Sequence, residues 1–293
     1  MGTEENMDAL VSIPGLAFTM HSYGTDPRQR VAVWQRETPS KSTTGYWAIY
    51  IHGGAWVDPR RTAVDFSHSI RHVIASDQHK DAIRGFMSLD YRISPGREET
   101  PLKIDDYKVQ HPDHILDVRA ALRYLDTEYD IDDKYILLGH SAGATLTFQL
   151  LMGAAALRTK NDDPAPRPAA VVGIAGIYDM INLNKRFKNN YSGFLSSAFS
   201  DDEKVWLEAS PAEHRGNYGK SMASKRPFIL AASPEDELID MPEIESMIRK
   251  LEADGLKPDV VSDLNGNHDE IWGEGSQVAA LIFRSLSQLL RKE

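Results

Sequence analysis

The sequence predicts an α/β protein built on a mainly parallel central sheet with helices on both faces. Short apolar runs rich in β-branched and aromatic residues alternate with longer segments whose apolar residues recur at helical spacing. The stretches between successive runs are long enough to hold a helix, which a parallel crossover requires and a hairpin does not. Residues able to do chemistry fall repeatedly just past the strand-like runs, where sheets of this kind place their ligands.

Taken in order, "RVAVWQR" (30–36) and "YWAIYIHG" (46–53) read as strands, and Asp58 followed by Pro59 signals a helix from Pro59 to about Ser76. "GFMSLDYRI" (85–93) is the next strand, and segment 111–129 sets Ile115, Val118, Leu122 and Leu125 on one helical face. "KYILLGH", ending at His140, is a strand that runs into a helix rich in Ala and Leu, 141 to about 157. A polar loop with three prolines (158–168) leads to the strand 169–177. Residues from about 180 to 224 show no sustained period and read as an irregular insert, a candidate lid, within a single domain spanning 1–293. "PFILAAS" (227–233) is a strand, 241–255 a helix closed by Gly255, 258–264 the last strand, and a closing helix follows His268.

Bulk properties narrow the function. A net charge of −10 with no Lys/Arg block argues against a nucleic-acid partner. The absence of cysteine excludes disulfides, thiolate metal sites and a Cys nucleophile. The N-terminal segment is acidic and broken by Pro14 and Gly15, unlike a signal peptide, and no run approaches the roughly 18 apolar residues of a membrane span. A cytoplasmic protein is expected, with its oligomeric state left open.

The chemistry centres on Gly139-His140-Ser141-Ala142-Gly143, a G-x-S-x-G pattern between a strand and a helix. A nucleophile on so sharp a turn needs small neighbours, and the following helix directs its first N–H groups at the site. A serine hydroxyl needs a base and a third group to orient that base, in the chain order Ser, acid, His. Downstream of Ser141 the histidines are His214, inside the insert, and His268, directly after the last strand, which is favoured. The acid comes from "SPEDELID": Asp236 is preferred, Glu235 competes, and Glu237 and Asp240 are read as solvating or capping the next helix. Donors for a tetrahedral oxyanion are sought in His52-Gly53-Gly54, as the N–H groups of Gly53 and Gly54 together with that of Ala142. The pairs His68/His72 and His111/His114 lack the H-E-x-x-H pattern, so no metal or other cofactor is expected.

These residues resemble the α/β-hydrolase superfamily over nearly the whole chain. His52-Gly53-Gly54-Ala55-Trp56, with Asp58-Pro59 behind it, "GIYD" (176–179) and "SPEDELI", looks most like the fungal kynurenine formamidases. The resemblance implies a triad of Ser141, Asp236 and His268. It also implies hydrolysis of a small-molecule substrate, N-formyl-L-kynurenine, to L-kynurenine and formate in tryptophan degradation toward NAD. The substrate's ring would stack on Trp56 or on an aromatic such as Tyr178, Tyr191 or Phe194, with Arg60 and Arg61 as candidates for its carboxylate. Competing readings are a general carboxylesterase of the hormone-sensitive-lipase-like group and a non-catalytic binding protein on the same fold.

Overall fold

A computed structural model of the chain describes residues 9–37, 45–95, 109–157, 164–221 and 226–291. The polar loop expected at 158–168 and the end of the insert at 222–224 therefore lie partly outside the described residues, as do residues 1–8 of the N-terminal segment. Eight strands form one sheet: β1 (Leu16–Ser22), β2 (Arg30–Arg36), β3 (Tyr46–Ile51), β4 (Ile83–Leu89), β5 (Tyr135–His140), β6 (Ala170–Ile174), β7 (Phe228–Ala231) and β8 (Asp259–Val261). Their spatial order is β1-β2-β4-β3-β5-β6-β7-β8, with β1/β2 and β2/β4 antiparallel and every later pairing parallel.

The helices are α1 (Ser67–Ile74), α2 (Asp113–Tyr129), α3 (Ala142–Met152), α4 (Ala154–Leu157), α5 (Met180–Arg186), α6 (Ser192–Phe199), α7 (Glu203–Ala209), α8 (Tyr218–Ser221), α9 (Met241–Ala253), α10 (Glu270–Gly273) and α11 (Ser276–Leu290). Alternation along the strands sorts them onto two faces. Ala48 and Tyr50 of β3 join a core with Ile70 of α1 and Ile282 of α11. Trp47, Ile49 and Ile51 join the core that contains Val118 of α2 and Leu146 of α3. The predicted mainly parallel sheet with two helical faces is what the chain forms.

Several boundaries differ from expectation, each for a local reason. The carboxylate of Asp58 accepts the N–H and guanidinium of Arg60, so Asp58-Pro59 makes a turn instead of starting a helix. A 3-10 turn (Ala63–Phe66) then precedes α1. The helix after Ser141 stops at Gly153, and the closing helix is divided by Gly275 at φ +91°, where an added Cβ would lie 2.5 Å from the His68 carbonyl carbon. The insert, expected to be irregular, contains α5 to α8, of four to eight residues each, too short to leave a periodic signature. Strand β1 went unrecognised because its exposed residues blur the alternation.

The core holds an ionisable ring. His114 of α2 is fully buried, with Nε2 3.0 Å from Ser94 Oγ, and burial first, then His111 and Arg92, pulls its pKa down to about 3. An imidazole kept neutral when folded but titrating near 6.5 when unfolded contributes stability above pH 6.5 and loses it as the pH falls toward 3. We expect it to account for about 2 kcal/mol of lost stability between pH 6.5 and 5. Urea midpoints at the two pH values should separate less in His114→Gln, which keeps a polar partner for Ser94 without the titration.

Candidate active site

Strands β3 and β5 are neighbours in register Ile51↔Gly139, so the chain just beyond each, at Gly53 and Ser141, emerges side by side. Ser141 has φ 54° and ψ −123°, a conformation that costs a non-glycine residue roughly 1–3 kcal/mol and persists only when its surroundings enforce it. They do: its N–H donates to Ile174 O at 2.9 Å, and its carbonyl accepts from the N–H groups of Ala144 and Thr145. The two flanking glycines are sterically required. A Cβ on Gly139 would lie 2.3 Å from Gly143 O, and one on Gly143 would lie 2.1 Å from Ile51 O. Ser141 is therefore presented on a tight strand-to-helix elbow at the start of α3.

The loops after β7 and β8 converge on the same rim. Asp236 Oδ2 lies 2.8 Å from His268 Nδ1, both side chains being buried, while Oδ1 accepts the N–H groups of Leu238 and Ile239 at 2.9 Å each. The imidazole of His268 packs at 4.5 Å between centroids on that of His140, the residue preceding Ser141. Burial, then the proximity of His268 and of Arg61, draws the His140 pKa well down, leaving that ring neutral.

Sequence reasoning missed how the two loops are joined. Glu237 Oε2 accepts the backbone N–H of His268 at 3.0 Å, Glu235 Oε2 that of Gly266 at 2.7 Å, and Ser233 Oγ donates to Gly266 O at 2.7 Å. Glu235, the competitor for the acid, is thus engaged with backbone, and Glu237 braces the His268 loop instead of serving the next helix. Asp240 pairs with Arg186 of α5 and gives α9 no side-chain cap. Glu237→Gln, which weakens an acceptor without opening a gap, is expected to lower kcat by roughly threefold to tenfold at unchanged melting temperature.

The glycine turn is also beside Ser141: a Cβ on Gly53 would come within 3.0 Å of Ser141 Cβ. Among the described residues, no backbone carbonyl outside the helices and strands accepts the N–H of Gly53 or Gly54. The loop continues through Gly54 (φ 98°), Ala55 (φ 49°) and Trp56 (φ 62°), three successive left-handed residues that turn the chain back.

The expected aromatic contacts divide. Tyr178 does not reach the site: its ring is buried edge-on against Phe148 in the core beneath α9, because the turn after β6 carries it into the opposite side. Trp56 is fully enclosed, edge-on to Phe199 at 4.8 Å. Half-buried Tyr191 and Phe194 of the insert extend this wall, with centroids 5.2 Å apart and Phe194 6.3 Å from Trp56. The Tyr191 hydroxyl donates to Leu238 O at 2.7 Å. Burial first, then Asp236, Asp240 and Glu237, pushes its pKa up to about 12. Arg60 is largely exposed and bound to Asp58, whereas Arg61 lies over the Trp272 ring at 4.6 Å, against Gly54 of the glycine turn. His72 faces Glu274 at 3.4 Å, and among the described residues no group of three or more His, Cys, Asp or Glu side chains is placed to share a metal ion.

The BD-FAE family model matches residues 37–251. A kynurenine formamidase-like hydrolase of Fusarium equiseti is 32% identical over 98% of this chain and 97% of its own length. The chain belongs to the kynurenine formamidase family of α/β-hydrolases. A kynurenine formamidase of Aspergillus versicolor is 33% identical, covering 79% of this chain and 85% of that relative. Among solved structures, esterase B of Lactobacillus rhamnosis superposes with a TM-score of 0.70 at 14% identity, over 99% of this chain and 92% of the other, which establishes a shared α/β-hydrolase fold. In this chain the elbow, the paired loops and the glycine turn described above all lie at the carboxyl ends of the parallel strands, the usual ligand-binding edge of such sheets.

Proposed function

We propose that this member of the family is a serine hydrolase that converts N-formyl-L-kynurenine to L-kynurenine and formate, in tryptophan degradation in the cytoplasm. The reading rests on one observation above all: an imidazole held at 2.8 Å by a buried carboxylate and packed, tilted, against the ring of the residue beside a strained serine. His268 Nε2 takes the proton of Ser141 Oγ, which attacks the formyl carbon. The N–H groups of Gly53, Gly54 and Ala142 receive the oxyanion. His268 then hands its proton to the aniline nitrogen, the C–N bond breaks and L-kynurenine leaves. Water, deprotonated by the same imidazole, attacks the formyl ester; the C–Oγ bond breaks, formate leaves and the imidazole returns its proton to Ser141 Oγ. Asp236 stays ionised throughout, with two backbone donors on one oxygen and the ring on the other.

A formyl group adds only hydrogen at the carbonyl carbon, so the hole needs little room around it. Tyr191 and Phe194 offer the substrate ring a half-buried aromatic surface, and Arg61 is the candidate for its carboxylate. The described part of the insert, residues 180–221, would roof this site as part of a single domain. The decisive measurement compares kcat/KM for N-formyl-L-kynurenine with that for short p-nitrophenyl esters. The formamide should exceed the esters; parity or worse would favour a general carboxylesterase.

A further inference from the structure

The segment following β4 grips the glycine turn at several points. Tyr91 Oη shares its one proton between His52 O at 3.1 Å and Gly53 O at 3.2 Å. His52 Nδ1, 2.8 Å from Gly53 O, donates to the same carbonyl, and its ring lies flat on that of Tyr91 at 4.6 Å. Asp90 backs this pair: its Oδ1 is 3.5 Å from His52 Nε2 and accepts the N–H of Ala63, and its Oδ2 binds Arg30. Burial alone would raise the Asp90 pKa, but His52 and Arg30 more than offset it and hold the carboxylate below its usual range. Ser94 N–H adds a bond to Trp56 O at 2.8 Å.

The direction of these bonds matters more than their number. In a planar trans peptide the C=O and N–H point opposite ways. The peptide 52–53 turns its oxygen to Tyr91, so the Gly53 N–H points away from Tyr91. The peptide 53–54 does the same, so the Gly54 N–H points away as well. One hydroxyl thus sets the aim of two consecutive amides, two of the three that the proposed mechanism uses, on a backbone that glycine leaves otherwise free to rotate.

We infer that Tyr91, with His52 as its partner, is a positioning residue that aims the oxyanion-binding amides. This rests on the serine-hydrolase reading above. Neither side chain touches the substrate; they act through the backbone of Gly53 and Gly54. Such preorganised donors favour the tetrahedral state over the planar ground state, so their loss should appear in kcat and not in KM.

Tyr91→Phe keeps the ring on His52 and removes only the hydroxyl. We expect kcat to fall roughly tenfold to hundredfold with KM within twofold, on both p-nitrophenyl acetate and N-formyl-L-kynurenine. The affinity for a boronic-acid adduct of the tetrahedral kind should fall in proportion to kcat. A second pair reads the same clamp: His52→Asn retains a donor near Nδ1 and should keep more kcat than His52→Ala at equal melting temperature. A kcat for Tyr91→Phe within twofold of the parent would overturn the inference, as would a rise in KM that accounts for the whole loss. If Tyr91→Phe does not fold, equal kcat in the two His52 variants would overturn it. Ser141→Ala, assayed alongside, separates the levels: activity retained there removes the site reading itself, whereas an inactive Ser141→Ala beside a fully active Tyr91→Phe removes only the clamp.

Discussion

Ser141→Ala should lose roughly a millionfold in kcat on N-formyl-L-kynurenine, the size of effect seen when a serine nucleophile acting as one unit with its base is removed. The substitution is structurally mild. Alanine keeps the Cβ already accommodated at φ 54°, and the backbone bonds to Ile174, Ala144 and Thr145 do not involve the hydroxyl. The melting temperature should therefore stay close to that of the parent, and the loss can be assigned to chemistry. A residual rate above the solution reaction is expected, because on the proposed mechanism the amides of Gly53, Gly54 and Ala142 would still stabilise attack by water. The absorbance change from N-formylkynurenine to kynurenine follows both enzymes. A variant within a hundredfold of the parent would leave the nucleophile unaccounted for.

The next largest effect is expected for Asp236→Asn, about ten-thousandfold in kcat. The reason lies in how the two carboxylate oxygens are used. Oδ1 accepts two backbone N–H groups from Leu238 and Ile239, an environment that an amide can satisfy only with its oxygen. The asparagine NH2 must then face His268 Nδ1, where Oδ2 sat at 2.8 Å. A donor facing Nδ1 requires that nitrogen to be unprotonated, so the neutral ring carries its proton on Nε2, toward the serine, and cannot accept another there. The geometry would survive with the wrong tautomer. Slower labelling of Ser141 by a fluorophosphonate, in parallel with kcat and at unchanged melting temperature, would check this; unaltered labelling would refute it.

What could be read in the sequence follows from the physics of each feature. β5 was legible because all six of its residues are buried, giving an unbroken apolar run into a glycine-bracketed turn. Asp236 and His268 were legible as loop residues at the right strand ends, and the structure brings them together. The bracing by Glu235 and Glu237 was not, since a carboxylate bonded to the backbone of a different loop leaves no pattern in either segment. Tyr91 was hidden for the same reason: its partners are carbonyl oxygens, which every residue carries. Tyr178 illustrates the reverse error. An aromatic just past a strand can swing toward either side, and only the packing against Phe148 shows which. Asp58-Pro59 matched a helix start chemically, but the adjacent arginine claimed the carboxylate.

The stitching between the segments at 233–237 and 266–268 makes acid and imidazole a single mechanical part, whereas the serine belongs to the neighbouring β5–α3 unit. Thermal breathing will then change the gap between two stiff pieces more readily than the orientation within either. A small molecule that bonds to the hydroxyl while leaning on the imidazole would act as a rivet across that seam. Its imprint should be slowed amide exchange on both sides at once, a signature that an occupant touching one piece alone would not produce.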